Sequence, residues 1–404
     1  MSNPVTNRCI VLGVTGSIAA YKAGEVASRL TQWGAKVDVV LTEGAQHFIT
    51  PLTFQSLTGR KAYTDADLWG GEGHVTHVGL GRSADLIVIA PATANTLSKL
   101  AYGIADNLLV LTVLASQCPL VVAPAMDAGM FQHPATQAAV RILEERGAYF
   151  VGPAEGRLAS GLVGRGRMVE AAEVLAAVRW LSGRNGPLAK RKVVITAGGT
   201  QEPIDAVRVI TNRSSGKQGY ALAQAALDVG ADVVLITAPT SLIPPYGAKV
   251  IKVRTAAEML DAVLQETQDA DVLIMAAAVA DFRPRVAQSQ KIKKEREIPS
   301  LELEATPDIL VEVAERRAHL GYPRRVIGFA AESEDLLANA QSKLQRKRLD
   351  MIVANDISAQ DAGFEVDTNR VTLLFADGRM ETLPLMEKDK VAEAVIGHLI
   401  TMLI

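Results

Sequence analysis

Aromatic residues make up only 4% of this 404-residue sequence, cysteine occurs twice, and neither sign of charge is in excess. Each scarcity excludes something. With 42 Lys+Arg against 44 Asp+Glu, there is no global field of the kind that draws nucleic acid or an acidic membrane surface. Cys9 and Cys118 both sit in apolar runs, and buried thiols in a reducing cytosol are expected rather than a disulfide framework. No charged-then-apolar segment opens the sequence, so a cytoplasmic location is expected. One uncharged run, LLVLTVLASQCPLVVAPAM from Leu108 to Met126, is long enough to span a bilayer. Ser116, Gln117 and Pro119 interrupt it, and a buried helix, a turn at Gln117-Cys118-Pro119 and a strand are expected instead. What is abundant is the small and branched apolar residue: apolar content is 49%, which suits packed α/β layers. The length leaves room for two or three domains.

Short apolar strands alternate with helical periods through the first half: CIVLGV, KVDVVLT, ADLIVIA, PLVVAPA and AYFVGPA. Continuously apolar strands between helices predict a parallel sheet covered on both faces. The segment SGRNGPLAKRK then breaks the pattern as a linker, and the alternation restarts with KVVITAG, DVVLITA, KVIKVRT, DVLIMAAAVADF, RRVIGFAAE and LDMIVAND. RVTLLFADGRMETLPL carries an Asp-Gly pair between two extended runs and predicts a β-hairpin at the sheet edge, before a last helix. The expectation is two doubly wound, Rossmann-like parallel-sheet domains, residues 1–181 and 192–404, joined by a linker at 182–191, with the hairpin added to the second. RPRVAQSQKIKKEREIPS is polar, basic and aperiodic, and reads as a mobile loop.

Two glycine turns look built for phosphate. In GVTGSIAAYK the strand ends at Val14 and a helix is expected near Ser17, with Gly16 and Ser17 at its free N–H groups. The G-x-G-x-x-G fingerprint is absent, and the second strand ends at Thr42 with Glu43 after it, so one phosphate fits better than a pyrophosphate. Taken alone, the turn fits an ordinary βα connection equally well. APATANT places Pro91, Thr93, Asn95 and Thr96 after a buried strand, and APAMDAGM does the same for Met126, Asp127 and Met130, at the sheet edge where α/β ligands bind. His77 follows a glycine-rich loop, and EGRLASGLVGRGRM, without helix or strand period, fits a surface linker or a lid. In the second half, TAGGTQEP is again a strand-end turn, with the following helix delayed to about Ser214. SSGKQG then offers hydroxyls and Lys217 at a helix start, without the P-loop spacing. Asp281 and Phe329 are read as strand ends, and Thr306-Pro307 as a proline-initiated helix start. Lys343 and Lys347 share a helical face, and KIKK adds Lys291, Lys293 and Lys294. Lysines from separate segments near strand edges point to a triphosphate.

GVTGSIAAYK, APATANT and PAMDAGM together resemble the flavin-dependent cysteine decarboxylases of the flavodoxin-like type. The second half resembles phosphopantothenate–cysteine ligase, and the combination resembles the bifunctional coenzyme A biosynthesis family. The resemblance implies FMN in the first domain, on Gly16, Ser17, Thr42, Pro91, Thr93, Asn95, Thr96 and Met126. It implies a substrate held near Asp127 and Met130, assisted by His77. FMN oxidation of the thiol carbon would create the electron sink that lets carbon dioxide leave. For the second domain it implies CTP read by Asp281, Phe329 and the turn Thr306, Pro307, Asp308, Ile309. Lys291, Lys343 and Lys347 would face the triphosphate, Mg²⁺ would be held by phosphate oxygens and water, and Asn212 would orient an acyl-cytidylate. Small-molecule substrates, no nucleic acid or membrane partner, and a homo-oligomer are implied as well.

The sequence departs from the family pattern twice: Asp127 stands for the usual Asn, and Ser160 for the usual lid Cys, which donates the final proton. A serine hydroxyl is a far weaker acid than a thiol of pKa about 8.5. The departures fit a matched pair, with a protonated Asp127 and a Ser160 relay, or a ligase whose FMN domain is non-catalytic. A third reading, an NAD(P)-dependent reductase, lacks the fingerprint in both turns.

Overall fold

A computed structural model describes residues 3–69, 75–292, 300–332, 335–356 and 366–403, and divides into two compact units, 2–183 and 184–404. In the first unit the strands are β1 (Cys9–Val14), β2 (Lys36–Leu41), β3 (Ala62–Tyr63), β4 (Leu86–Ala92), β5 (Leu120–Pro124), β6 (Tyr149–Phe150), β7 (Ala154–Arg157) and β8 (Val163–Arg167). Its helices are α1 (Ala20–Gln32), α2 (Glu43–Gln46), α3 (Pro51–Thr58), α4 (Thr76–Ser83), α5 (Ala94–Tyr102), α6 (Leu108–Leu114), α7 (Ala128–Gln132), α8 (Pro134–Glu145) and α9 (Ala171–Gly183). The sheet is parallel in the order β3-β2-β1-β4-β5-β6. The two-residue β3 only extends the edge, and without it the order is the flavodoxin one. Every residue of β4 is buried because helices cover both faces. The Leu108–Met126 run becomes α6, a turn and β5, and no described helix is long and apolar enough to cross a membrane.

The second unit contains β9 (Lys192–Ala197), β10 (Gln201–Pro203), β11 (Val209–Thr211), β12 (Asp232–Thr237), β13 (Lys249–Lys252), β14 (Val272–Met275), β15 (Phe282–Pro284), β16 (Leu303–Ala305), β17 (Arg325–Glu332), β18 (Met351–Asp356), β19 (Thr368–Asn369), β20 (Val371–Phe375), β21 (Met380–Thr382) and β22 (Met386–Glu387). Its helices are α10 (Lys217–Asp228), α11 (Ala256–Glu266), α12 (Ile309–Leu320), α13 (Leu336–Arg346) and α14 (Lys388–Leu403). The main sheet runs β13-β12-β9-β14-β17-β18-β20-β21: six parallel strands in Rossmann order, then the Asp-Gly hairpin β20–β21, antiparallel at the edge.

Several local expectations are corrected. Helix α1 starts at Ala20, not near Ser17, because the Ser17 N–H closes back on the Thr15 carbonyl at 2.8 Å and the Ser17 hydroxyl accepts from Ala19 N at 3.3 Å. The aperiodic segment read as a surface linker or a lid is an antiparallel hairpin, β7–β8, and the polar stretch after β9 contains a second one, β10–β11. Strand β14 ends at Met275, so Asp281 lies in the loop beyond it, whereas Phe329 lies inside β17. Pro307 precedes the Asp308 N-cap of α12 rather than starting that helix. Helix α9 carries into the first residues expected as linker. Cys9 and Cys118 are unpaired but half-buried rather than fully enclosed. Lys293 and Lys294 lie outside the described residues.

Candidate active sites

In the first unit a cavity of about 920 Å³ opens at the carboxyl edge of the sheet, around the point where strand order reverses between β1 and β4. Gly16, Ser17, Thr42, Thr93, Asn95, Thr96, Met126, Asp127, Met130 and Ser160 line it together. The first turn and the Thr93 loop are tied by buried Thr15, whose hydroxyl donates to the Pro91 carbonyl at 2.7 Å and accepts from Thr93 N at 3.1 Å. Pro91 is therefore a support outside the lining. A Cβ on Gly16 would stand 3.0 Å from the Gly44 carbonyl carbon, so a side chain there would push these two loops apart by a few tenths of an ångström. The Gly16 and Ile18 N–H groups have no partner among the described residues, and Thr93 caps α5 by accepting from Thr96 N at 3.4 Å. Such converging donors hold a phosphate.

The lid is seated on the Asp127 segment. Met126 N donates to the Gly166 carbonyl at 2.9 Å, and a Cβ on Gly166 would lie 2.4 Å from the Met126 oxygen. At the lid tip, Ser160 Oγ donates to Asp127 Oδ2 at 2.6 Å, while Gly129 N donates to Oδ1 at 3.0 Å. The Ser160 bond first, then the Gly129 N–H, hold the Asp127 carboxyl below its ordinary range, so it is a carboxylate when the lid is down. Lys22, which also lines the cavity, anchors the base of the lid. Its buried ammonium donates to the Met168 carbonyl at 3.0 Å, the Val169 carbonyl at 3.4 Å and Glu170 Oε1 at 2.9 Å. His77 does not join this group: it sits in α4 outside the lining, with its Nδ1 buried and unpartnered among the described residues.

In the second unit a cavity of about 410 Å³ lies at the corresponding place, beyond the reversal between β9 and β14. Asn212, Asp281, Thr306, Pro307, Asp308, Ile309, Phe329, Lys343 and Lys347 line it. The Asn212 amide donates to the Ala278 and Val279 carbonyls, each at 3.3 Å, pinning the segment just after β11 to the loop after β14. Thr306 N donates to the Asp281 carbonyl at 2.9 Å. The lysines are more engaged than their spacing implied. Lys347 Nζ pairs with Asp308 at 2.9 Å and Lys217 Nζ with Asp367 at 2.5 Å. Lys291 is exposed and outside the lining. Among the described residues no group of three or more His, Cys, Asp or Glu is placed to hold a metal.

One family model, described as Flavoprotein, matches residues 2–182, and another, described as DNA/pantothenate metabolism flavoprotein C-terminal domain, matches residues 188–403. The chain is 44% identical over 398 residues to the coenzyme A biosynthesis bifunctional protein CoaBC of Bacillus subtilis, covering 98% of this chain and 97% of that protein. The chain belongs to the bifunctional coenzyme A biosynthesis family. The Vibrio cholerae member is 43% identical over 393 residues, with 97% of each chain covered. A solved C-terminal domain of such a protein is 39% identical, covering 54% of this chain and 98% of that one, with a TM-score of 0.46.

Within this family frame, the residues present fit a flavin mononucleotide: the free N–H groups and the close loop approach at Gly16 are suited to a phosphate. Sequence reasoning missed Lys22, although a lysine on the apolar stripe of α1, beside Ala23, Val26 and Ala27, was a readable signal. It also missed Gln218, Asn355, Asn369 and Lys388, all lining the second cavity, and no local pattern marks them.

Proposed function

We propose that residues 184–404 join cysteine to 4′-phosphopantothenate at the expense of CTP, and that residues 2–183 decarboxylate the product with FMN. The observation that carries this reading is the collinear match of both halves to bifunctional relatives over 98% of the chain. A cavity built from the motif residues in each half supports it. A ligase with an inert first half is not favoured by these relatives.

In the ligase, the phosphopantothenate carboxylate attacks the α-phosphate of CTP, releasing pyrophosphate. The cysteine amine then displaces CMP from the acyl-cytidylate. Asn212, fixed between two carbonyls, borders the acyl group; Phe329 and the Thr306–Ile309 turn enclose the nucleotide; Lys343 and Lys347 face the phosphates. We assign Lys291 to the same step from the loop above. Mg²⁺ is proposed on phosphate oxygens and water.

In the decarboxylase, bound FMN supplies the two-electron oxidation and re-reduction at the cysteine-derived carbon. Thr93, Asn95, Thr96, Gly16 and Ser17 hold its phosphate, with Thr42 and Met126 along the same wall. The lid excludes water once Gly166 is seated. Asp127 and Ser160 share one hydrogen-bonded proton, and we assign that pair to deliver a proton to the enethiolate left by carbon dioxide loss. A negative Asp127 beside the substrate carboxylate is relieved when carbon dioxide departs. His77 is assigned no step within one chain. A cytoplasmic homo-oligomer is also proposed, supported by Ile18 and Tyr21, which stand 60% and 66% exposed at the cavity wall.

Incubation with 4′-phosphopantothenate, cysteine, CTP and Mg²⁺, with mass analysis, tests the reading. Phosphopantetheine is expected; phosphopantothenoylcysteine alone refutes the decarboxylase half, and neither product refutes the ligase half, with added phosphopantothenoylcysteine then testing the decarboxylase by itself.

A further inference from the structure

The lysine-bearing cavity of the second unit contains one polar side chain that positive charge does not account for. Asn355 lies near the carboxyl end of β18, only 9% exposed, and its Oδ1 is buried with no hydrogen-bond partner among the described residues. The direction of its amide is set from a distance. The Lys388 backbone carbonyl can only accept, so the Gln218 amide presents Nε2 to it, at 3.2 Å. Gln218 Oε1 then faces Asn369 and accepts its Nδ2 at 2.9 Å. Asn369 Oδ1 in turn accepts Asn355 Nδ2 at 3.4 Å. Amide by amide the polarity is passed along, and the series ends on a carbonyl oxygen without a donor. The neighbouring ammonium groups are occupied, Lys388 on the Val366 carbonyl and Lys217 on Asp367. All four members of the series line the cavity. A buried acceptor left unmet is destabilising, and a donor from a ligand removes that cost.

We propose that Asn355 is a specificity residue for an uncharged amino group on a ligase substrate. A phosphate or carboxylate oxygen is refused there despite the lysines, because acceptor would face acceptor. Two groups in the reaction have this chemistry: the exocyclic amine of cytosine, and the amine of cysteine, which must be uncharged to attack. The inference rests on the CTP-dependent ligase reading above. Gln218 and Asn369 are positioning residues, since they act only by fixing the Asn355 amide.

The test uses the full chain with Asn355→Leu and Asn355→Asp. CTP and UTP binding are measured by calorimetry without the other substrates, and the KM values for cysteine and phosphopantothenate by pyrophosphate release. If cytosine supplies the amine, Asn355→Leu weakens CTP about tenfold and leaves UTP unchanged; if cysteine supplies it, the cysteine KM rises about tenfold with CTP affinity unmoved. Asn355→Asp keeps an acceptor oxygen toward the ligand but sets a second one against Asn369 Oδ1, so it is expected between Asn355→Leu and the parent in the same quantity. All constants within about twofold of the parent, or a loss confined to phosphopantothenate, overturn the proposal. Should Asn355→Leu not fold, Gln218→Leu replaces it: releasing the amide direction weakens the same quantity by about threefold, and unchanged constants again overturn the proposal. If the parent itself releases no pyrophosphate from CTP, the ligase reading fails instead.

Discussion

Replacing Gly166 by alanine probes how the decarboxylase lid is seated. A Cβ there would stand 2.4 Å from the Met126 oxygen and 3.1 Å from Ala128 N and the Asp127 carbonyl carbon. All are backbone atoms, so no side chain can turn aside, and the hairpin must lift by about 1 Å to restore contact distance. Overpacking of this kind costs about 1–3 kcal/mol. The lift also stretches the 2.9 Å bond from Met126 N to the Gly166 carbonyl, a further loss of about 1 kcal/mol. A total of about 3 kcal/mol raises the lid-open population roughly a hundredfold, because each 1.4 kcal/mol is tenfold. Gly164→Ala meets only the Ala128 methyl, at 2.8 Å, and is expected to cost about 1 kcal/mol. Gly156→Ala reaches the flexible Arg167 Cδ at 3.4 Å and is expected within about 0.5 kcal/mol of the parent. Trypsin cleavage at Arg157 and Arg165 under native conditions reads the open population. The expected order of rates is Gly166→Ala, then Gly164→Ala, then Gly156→Ala and parent together. Equal rates for Gly166→Ala and Gly156→Ala would refute a lid seated on Met126–Ala128.

Ser160→Ala is expected to release a decarboxylated enethiol two hydrogens lighter than the normal product, whereas Ser160→Cys keeps or raises turnover; mass analysis that finds normal product from Ser160→Ala at the parent rate removes Ser160 from proton delivery. The Asp127 carboxyl is held low by Ser160 and Gly129, so the latch is fully present above the ordinary carboxylate pKa of about 3.9 and is lost as pH falls through the depressed value. Carboxyl NMR is expected to show Asp127 titrating higher in Ser160→Ala than in the parent, and an unmoved titration contradicts the latch. Lys22→Met strips the anchor from the Met168 and Val169 carbonyls and is expected to cost about 2 kcal/mol, seen as a Tm lower by roughly 4–8 °C with faster lid cleavage; an unchanged Tm refutes the anchor. Lys291→Gln is expected to stall CTP turnover while flavin absorbance is retained, and unchanged turnover removes Lys291 from the ligase site.

Alternation of apolar strands with amphipathic helices was enough to read two doubly wound units, since a parallel strand buried on both faces is apolar throughout and needs no partner to be recognised. The Asp-Gly pair likewise announced the β20–β21 hairpin by turn chemistry alone. The lid hairpin β7–β8 escaped notice because its glycines serve a close backbone approach, not a core, and so carry no period of two. Local pattern also set where the motifs gather, at strand ends beyond each reversal of strand order. Which side chains meet there was a tertiary matter. Ser160 finds Asp127 across 33 residues, Lys22 finds the Met168 carbonyl across 146, and Gln218 finds Asn369 across 151. Tertiary contact paired Lys347 with Asp308 and left His77 outside the flavin cavity. Periodicity reports which face of an element is buried, but a hydrogen bond depends on the angle and reach of two particular side chains, and only the packed chain fixes both.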